Sequence, residues 1–108
     1  MKYKVPGGAL LEIQGPEQTR WVGNLKFKII ANGKVVGYLR GQKTAQFFVE
    51  KDTKFTVQTC NTSFPLLETS FISLSLRPTI VKLHLLGSSK ATAKLGAYVT
   101  HGESYFKK

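Results

Sequence analysis

Apolar and polar residues alternate along most of this chain, the period-2 pattern of half-buried β-strands. Within residues 53–60, Phe55, Val57 and Thr59 alternate with Lys54, Thr56 and Gln58. Leu25, Phe27 and Ile29 alternate in the same way with Lys26, Lys28 and Ile30. Val81, Leu83 and Leu85 point inward against Lys82 and His84. Over residues 69–77 the rhythm predicts Ile72, Leu74 and Leu76 on one face and Ser73, Ser75 and Arg77 on the other. A shorter run at 9–14, with Leu11 and Ile13 on one face, ends at Gly15-Pro16, and the run at 44–49, TAQFFV, is rich in β-formers. Residues 90–100 fit a strand with Ala93, Leu95, Ala97 and Val99 on one face, or a helix with Ala91, Leu95 and Val99 in line. Gly96 and the neighbouring strands favour the strand. From about residue 101, His101 included, the chain reads as a mobile tail.

The breaks between runs are as informative as the runs. Asn32-Gly33 separates two alternating arms, and the tightest two-residue turns need positive φ at both positions, which this pair supplies best. Residues 25–39 are therefore expected to form a β-hairpin. Gly37 in the returning arm marks a bulge or a close approach. Turns are expected at 41–43, 50–52, 77–79 and 87–89. The result is about eight short runs at spacings of roughly 8–12 residues, the spacing of a sandwich or barrel. The expected fold is a single all-β domain over 1–108, an antiparallel β-sandwich. The alternative is a small OB-like β-barrel drawn from residues 25–86.

From Leu25 to Leu86 the order of elements resembles small bacterial PEGA-like, immunoglobulin-like β-sandwich modules. The residues that carry it are FKIIANGKVVGYL, then RGQKTAQFFVEKDTKFTVQT, and the later pair TSFISLSLRPTIVKLHLLG. The chain departs from that group at Glu50-Lys51-Asp52-Thr53, where a Pro-Gly turn is usual. The resemblance implies a noncatalytic attachment or interaction module and assigns no binding residue.

Charge changes the picture more than composition does. Sixteen Lys and Arg face six Asp and Glu, a formal net charge of +10. Such a surface attracts polyanions: nucleic acid, anionic headgroups, acidic polymers or acidic proteins. Lysine on the solvent side of strands also blocks edge pairing, so net charge alone does not decide function. Cys60 is the sole cysteine, which excludes an intrachain disulfide and fits a reducing compartment. The first residues lack the apolar stretch of a signal peptide, and no apolar run approaches the ~20 residues of a membrane span. A cytoplasmic protein without a membrane span is expected.

Reactive groups are sparse. His84 reads as an exposed strand histidine and Cys60 as a half-buried packing residue. No Gly-x-Ser-x-Gly elbow, zinc spacing or calcium loop occurs. No catalytic, metal or cofactor residue is assigned, no cofactor is expected, and the chain is read as no enzyme. The cations are better placed. Lys26, Lys28, Lys54, Lys82 and Lys94 fall on outward positions, with Arg40 and Lys43 flanking a turn. On one sheet they would form a cationic face, with Tyr38 and Tyr98 as stacking surfaces. Thirteen of the sixteen cations are lysine, which suits backbone contact better than base reading. Trp21 and Phe47 are expected in the core. Phe48 and Phe71 fall out of phase, and either fill the far side of the sandwich or form a patch for a partner.

These readings point to a noncatalytic interaction or assembly module that holds a protein partner, or another copy of itself, through a sandwich surface or an edge strand. The alternative is a basic nucleic-acid-binding domain with little sequence preference. An enzyme with scattered carboxylates ranks last.

Overall fold

A computed structural model describes residues 8–17, 25–61 and 64–102. Among these residues, eight strands are shared between two sheets: β1 Ala9–Gln14, β2 Lys26–Ala31, β3 Lys34–Arg40, β4 Thr44–Val49, β5 Thr53–Thr59, β6 Glu68–Ser73, β7 Thr79–Leu86 and β8 Lys94–His101. The first sheet has the order β4-β1-β7-β8 and the second β3-β2-β5-β6. All neighbours are antiparallel except β1 and β7, which run parallel over Leu11–Gln14 and Thr79–Lys82. The sheets stay separate, so the molecule is a β-sandwich and the barrel alternative does not hold.

The period-2 pattern explains the interior. Leu11 and Ile13 of β1 and Val81 and Leu83 of β7 meet Phe27 and Ile29 of β2 and Phe55 and Val57 of β5. Several of these side chains are wholly buried, and each stabilises the fold by about 1.5–3 kcal/mol relative to exposure. Phe47 packs on their flank, its ring 6.1 Å from that of Phe55. Trp21 lies outside the described residues.

The β2–β3 hairpin turns at Asn32 (φ 53°) and Gly33 (φ 78°), the left-handed pair that Asn-Gly favours. The register then slips between Ile29 and Ile30, so Val36 becomes the extra residue of a bulge. Gly37 both adjoins this bulge and passes close to Phe47, whose ring would lie 3.0 Å from an added Cβ.

Two sequence expectations change here. Phe71 is only 7% exposed and stacks on Phe55, with ring centroids 5.9 Å apart and planes 9° apart. Ser73 is buried beside it in phase, while Ile72 is 46% exposed and Leu76 also faces solvent. The expected facing of residues 69–77 is therefore reversed. The strand ends at Ser73, so Leu74 and Leu76 belong to a loop and never shared the strand's phase. The partner register sets that phase instead, pairing Phe71 with Phe55 and Ile72 with Lys54. The second change concerns His101. It closes β8, pairs with Thr79 and lies 3.2 Å from the Thr79 hydroxyl, so it belongs to the sheet and not to a tail. Residues 103–108 lie outside the described residues. Residues 94–101 form the expected strand, after a single 3-10 turn at Lys90–Thr92.

Candidate functional site

The β2–β3 hairpin places Lys26 opposite Arg40 and Lys28 opposite Tyr38 on the outer face of the second sheet. Tyr38 is 59% exposed, and the Lys26 ammonium sits 4.9 Å from its ring centroid. A cation over an exposed aromatic face is worth about 0.5–1 kcal/mol. The backbone here is well tied down. The Lys26 N–H donates to Asn61 Oδ1 (2.6 Å), and the Lys26 carbonyl accepts from the Cys60 N–H (2.9 Å) and thiol (3.4 Å). Cys60 is thus a packing and hydrogen-bonding residue.

Arg40 and Lys43 stand where the chain crosses from the second sheet to the first. The Gly41 N–H donates to the Leu25 carbonyl (2.7 Å), and the Lys43 N–H donates to the Arg40 carbonyl (3.2 Å). The Gly15 N–H donates to the Lys43 carbonyl (2.9 Å) and ties this turn to the end of β1. Together Lys26, Tyr38, Leu39, Arg40, Lys43 and Thr44 line an open groove of about 460 Å³.

Among the described residues, no carboxylate lines this groove. The strands of the second sheet carry Lys26, Lys28, Lys34, Arg40 and Lys54 against a single acid, Glu68. Glu68 accepts from Gln58 Nε2 (2.7 Å). Among the described residues, none of Lys26, Lys28, Arg40 and Lys43 forms an ion pair. Like charges gathered on one face raise the local potential together.

The single cationic face expected from the sequence does not form. Lys54 lies at the far end of the same sheet, in a second groove of about 310 Å³ with Ile30, Asn32, Gly33 and Thr56. Lys82 and Lys94 are on the first sheet, which faces the other way. Lys82 donates to the Gly15 carbonyl (3.3 Å) and pairs across from Tyr98, while Lys94 pairs with Leu86. Tyr98 is 69% exposed but stacks on His84, with centroids 4.7 Å apart. Alternation reveals a residue's phase within its strand and carries no information on which sheet the strand joins.

The two aromatics flagged for a partner also separate. Phe71 is core, as described above. Phe48 faces out from β4 at 45% exposure, opposite Leu10, and its ring covers Gly8. Sequence reasoning missed Asn61 as the anchor of Lys26, and nothing local links residues 35 positions apart.

The residues able to carry catalytic chemistry are dispersed. Glu12 accepts from Gln14 (2.8 Å) and Gln46 (3.1 Å), and Asp52 accepts from the Ser75 N–H (2.8 Å). Among the described residues, no group of three His, Cys, Asp or Glu side chains converges on a point. Among those residues, too, no helix is long and apolar enough to cross a membrane.

No family model matches the chain, and no curated protein matches it. It is similar in structure to a protein from Eubacterium rectale solved by NMR, with a TM-score of 0.55 and 16% sequence identity. That similarity covers 91% of this chain and 93% of the other, and it supports the same sandwich fold.

Proposed function

We propose that this chain is a noncatalytic interaction module that docks an anionic partner on the β2–β3 end of its second sheet. One observation carries the reading. Lys26, Arg40 and Lys43 line one groove with Tyr38, Lys28 stands opposite Tyr38, and no carboxylate among the described residues lines that groove. Surface cations without counter-charges raise local potential and steer anionic partners toward it. The PEGA-like resemblance supports a noncatalytic role. The lone Cys60 thiol supports a cytoplasmic setting.

The test is retention on immobilised heparin through a rising salt gradient. Lys26→Glu combined with Arg40→Glu, a charge change equal to that of the control below, is expected to elute at much lower salt than wild type. Lys82→Glu combined with Lys94→Glu is expected to elute close to wild type. Equal losses in the two variants would reduce the effect to net charge and remove the docking surface.

A second reading is a protein partner, or another copy of this chain, gripped at a strand edge. The β8 edge favours it. This strand runs eight residues in unbroken register with β7, has no proline and carries no Lys or Arg after Lys94. Edge strands with unpaired backbone groups template the pairing of further strands. Measurement of mass in solution over a wide concentration range tests it, and a monomer throughout would remove self-association.

A further inference from the structure

Tyr38 is the residue that a purely electrostatic docking surface would not need. It stands in the middle of the cations, more than half exposed, and contributes to the groove. We infer that the groove binds single-stranded nucleic acid, with one base stacked on Tyr38, the Lys26 ammonium moving from its place over that ring to a phosphate, and neighbouring phosphates held by Arg40 and Lys43. The inference rests on the reading that this end of the sheet is the docking surface.

Three features favour this occupant. An exposed aromatic ring flanked by cations is the combination that non-sequence-specific single-strand binders use: the ring takes a base face, and the cations track the backbone. An acidic peptide would satisfy the cations but has no π-face for Tyr38. A duplex has phosphates, but its base faces are stacked on one another and closed to a side chain. Second, the cations lie on both strands of the hairpin around the ring. Lys26 and Arg40 face each other, and Lys28 follows one same-face step along β2, about 6.6–6.8 Å away. Third, no carboxylate among the described residues lines the groove to repel phosphate. Lys26 and Lys43 offer point charges and only Arg40 offers a planar fork, so backbone contact dominates and base preference is weak.

The test is fluorescence anisotropy with a labelled oligothymidylate of about twelve nucleotides, within the usual range of site sizes. An abasic strand of equal length, a duplex and polyglutamate serve as competitors. Wild type is expected to bind the oligothymidylate, with log K falling against log salt at a slope of roughly −2, as for three phosphates at about −0.7 each. Tyr38→Ala is expected to weaken binding roughly 5- to 100-fold without changing that slope. Tyr38→Trp is expected to retain binding. Lys26→Gln and Arg40→Gln are each expected to flatten the slope by about 0.7. Circular dichroism of every variant checks that the sheet signal is kept.

If the abasic strand and polyglutamate compete as well as the oligothymidylate, and Tyr38→Ala is neutral, the nucleic-acid inference fails while the docking surface stands. If the oligothymidylate binds but neither the lysine nor the arginine variants alter the slope, both fail. Both also fail if no polyanion binds at moderate salt.

Discussion

On the outer face of the first sheet several polar side chains are engaged with a neighbouring group. Glu12 accepts from Gln14 and Gln46, Lys82 donates to the Gly15 carbonyl, and His84 lies against Tyr98. On the second sheet the outer cations at the β2–β3 end meet no carboxylate among the described residues, and Lys26 leans on an exposed tyrosine. The strands of the first sheet hold two cations, Lys82 and Lys94, with Glu12 among them. Those of the second hold five with Glu68. The lesson is that a net charge of +10 is not one property of this protein. A lysine that already has a structural partner needs no functional explanation, and the unpartnered ones stand out against it.

The sheets also treat their aromatics differently, and this yields the largest expected effect. Phe71→Ala removes a buried ring from its stack on Phe55 and should cost about 3–5 kcal/mol. Phe48→Ala, on the outer face of the first sheet, should cost under about 1 kcal/mol, since its ring is only half covered. Urea unfolding of the two variants decides this, and similar costs would mean that Phe71 is not core.

Next comes the contrast in charge. Reversing Lys26 and Arg40 together should weaken heparin affinity roughly 10- to 30-fold near physiological salt, against less than about threefold for reversing Lys82 and Lys94. A comparable loss on both faces would break the comparison. Gly33→Ala sharpens it by loosening the hairpin that presents the cations. The left-handed backbone at this position should make alanine cost about 1–2 kcal/mol in thermal or chemical unfolding. Smallest is Lys82→Met. Loss of its bond to the Gly15 carbonyl should cost up to about 1 kcal/mol of stability and leave polyanion binding unchanged. Altered binding would show that the first sheet takes part.

Much of the fold was legible because alternation, turn chemistry and burial agree. Asn32-Gly33 marks the hairpin, Gly37 marks its irregularity, and Phe55, Val57, Val81 and Leu83 face inward as their spacing predicts. Reading failed where one rhythm was carried past a strand's end. Leu74 and Leu76 extended the apparent period beyond Ser73 and put Phe71 out of phase, which left its place open between core and patch. The candidate site was legible only in part. Arg40 and Lys43 were recognisable as the flanks of a turn, and Lys26 and Lys28 as outward positions. Their separation from Lys54, Lys82 and Lys94 was not, because sheet membership depends on contacts between residues far apart in the chain.

That dependence on distant contacts has a consequence for how the chain is made. The strand nearest the N-terminus, β1, lies between β4 and β7. Its parallel neighbour emerges only after most of the polypeptide has been synthesised. Every strand of the second sheet, by contrast, is complete by Ser73. During synthesis the hairpin layer can therefore assemble while β1 still lacks one neighbour and the apolar side of the early layer has only part of its cover. Closing so wide a sequence gap is slow, and that interval is when the nascent protein is most open to misassociation.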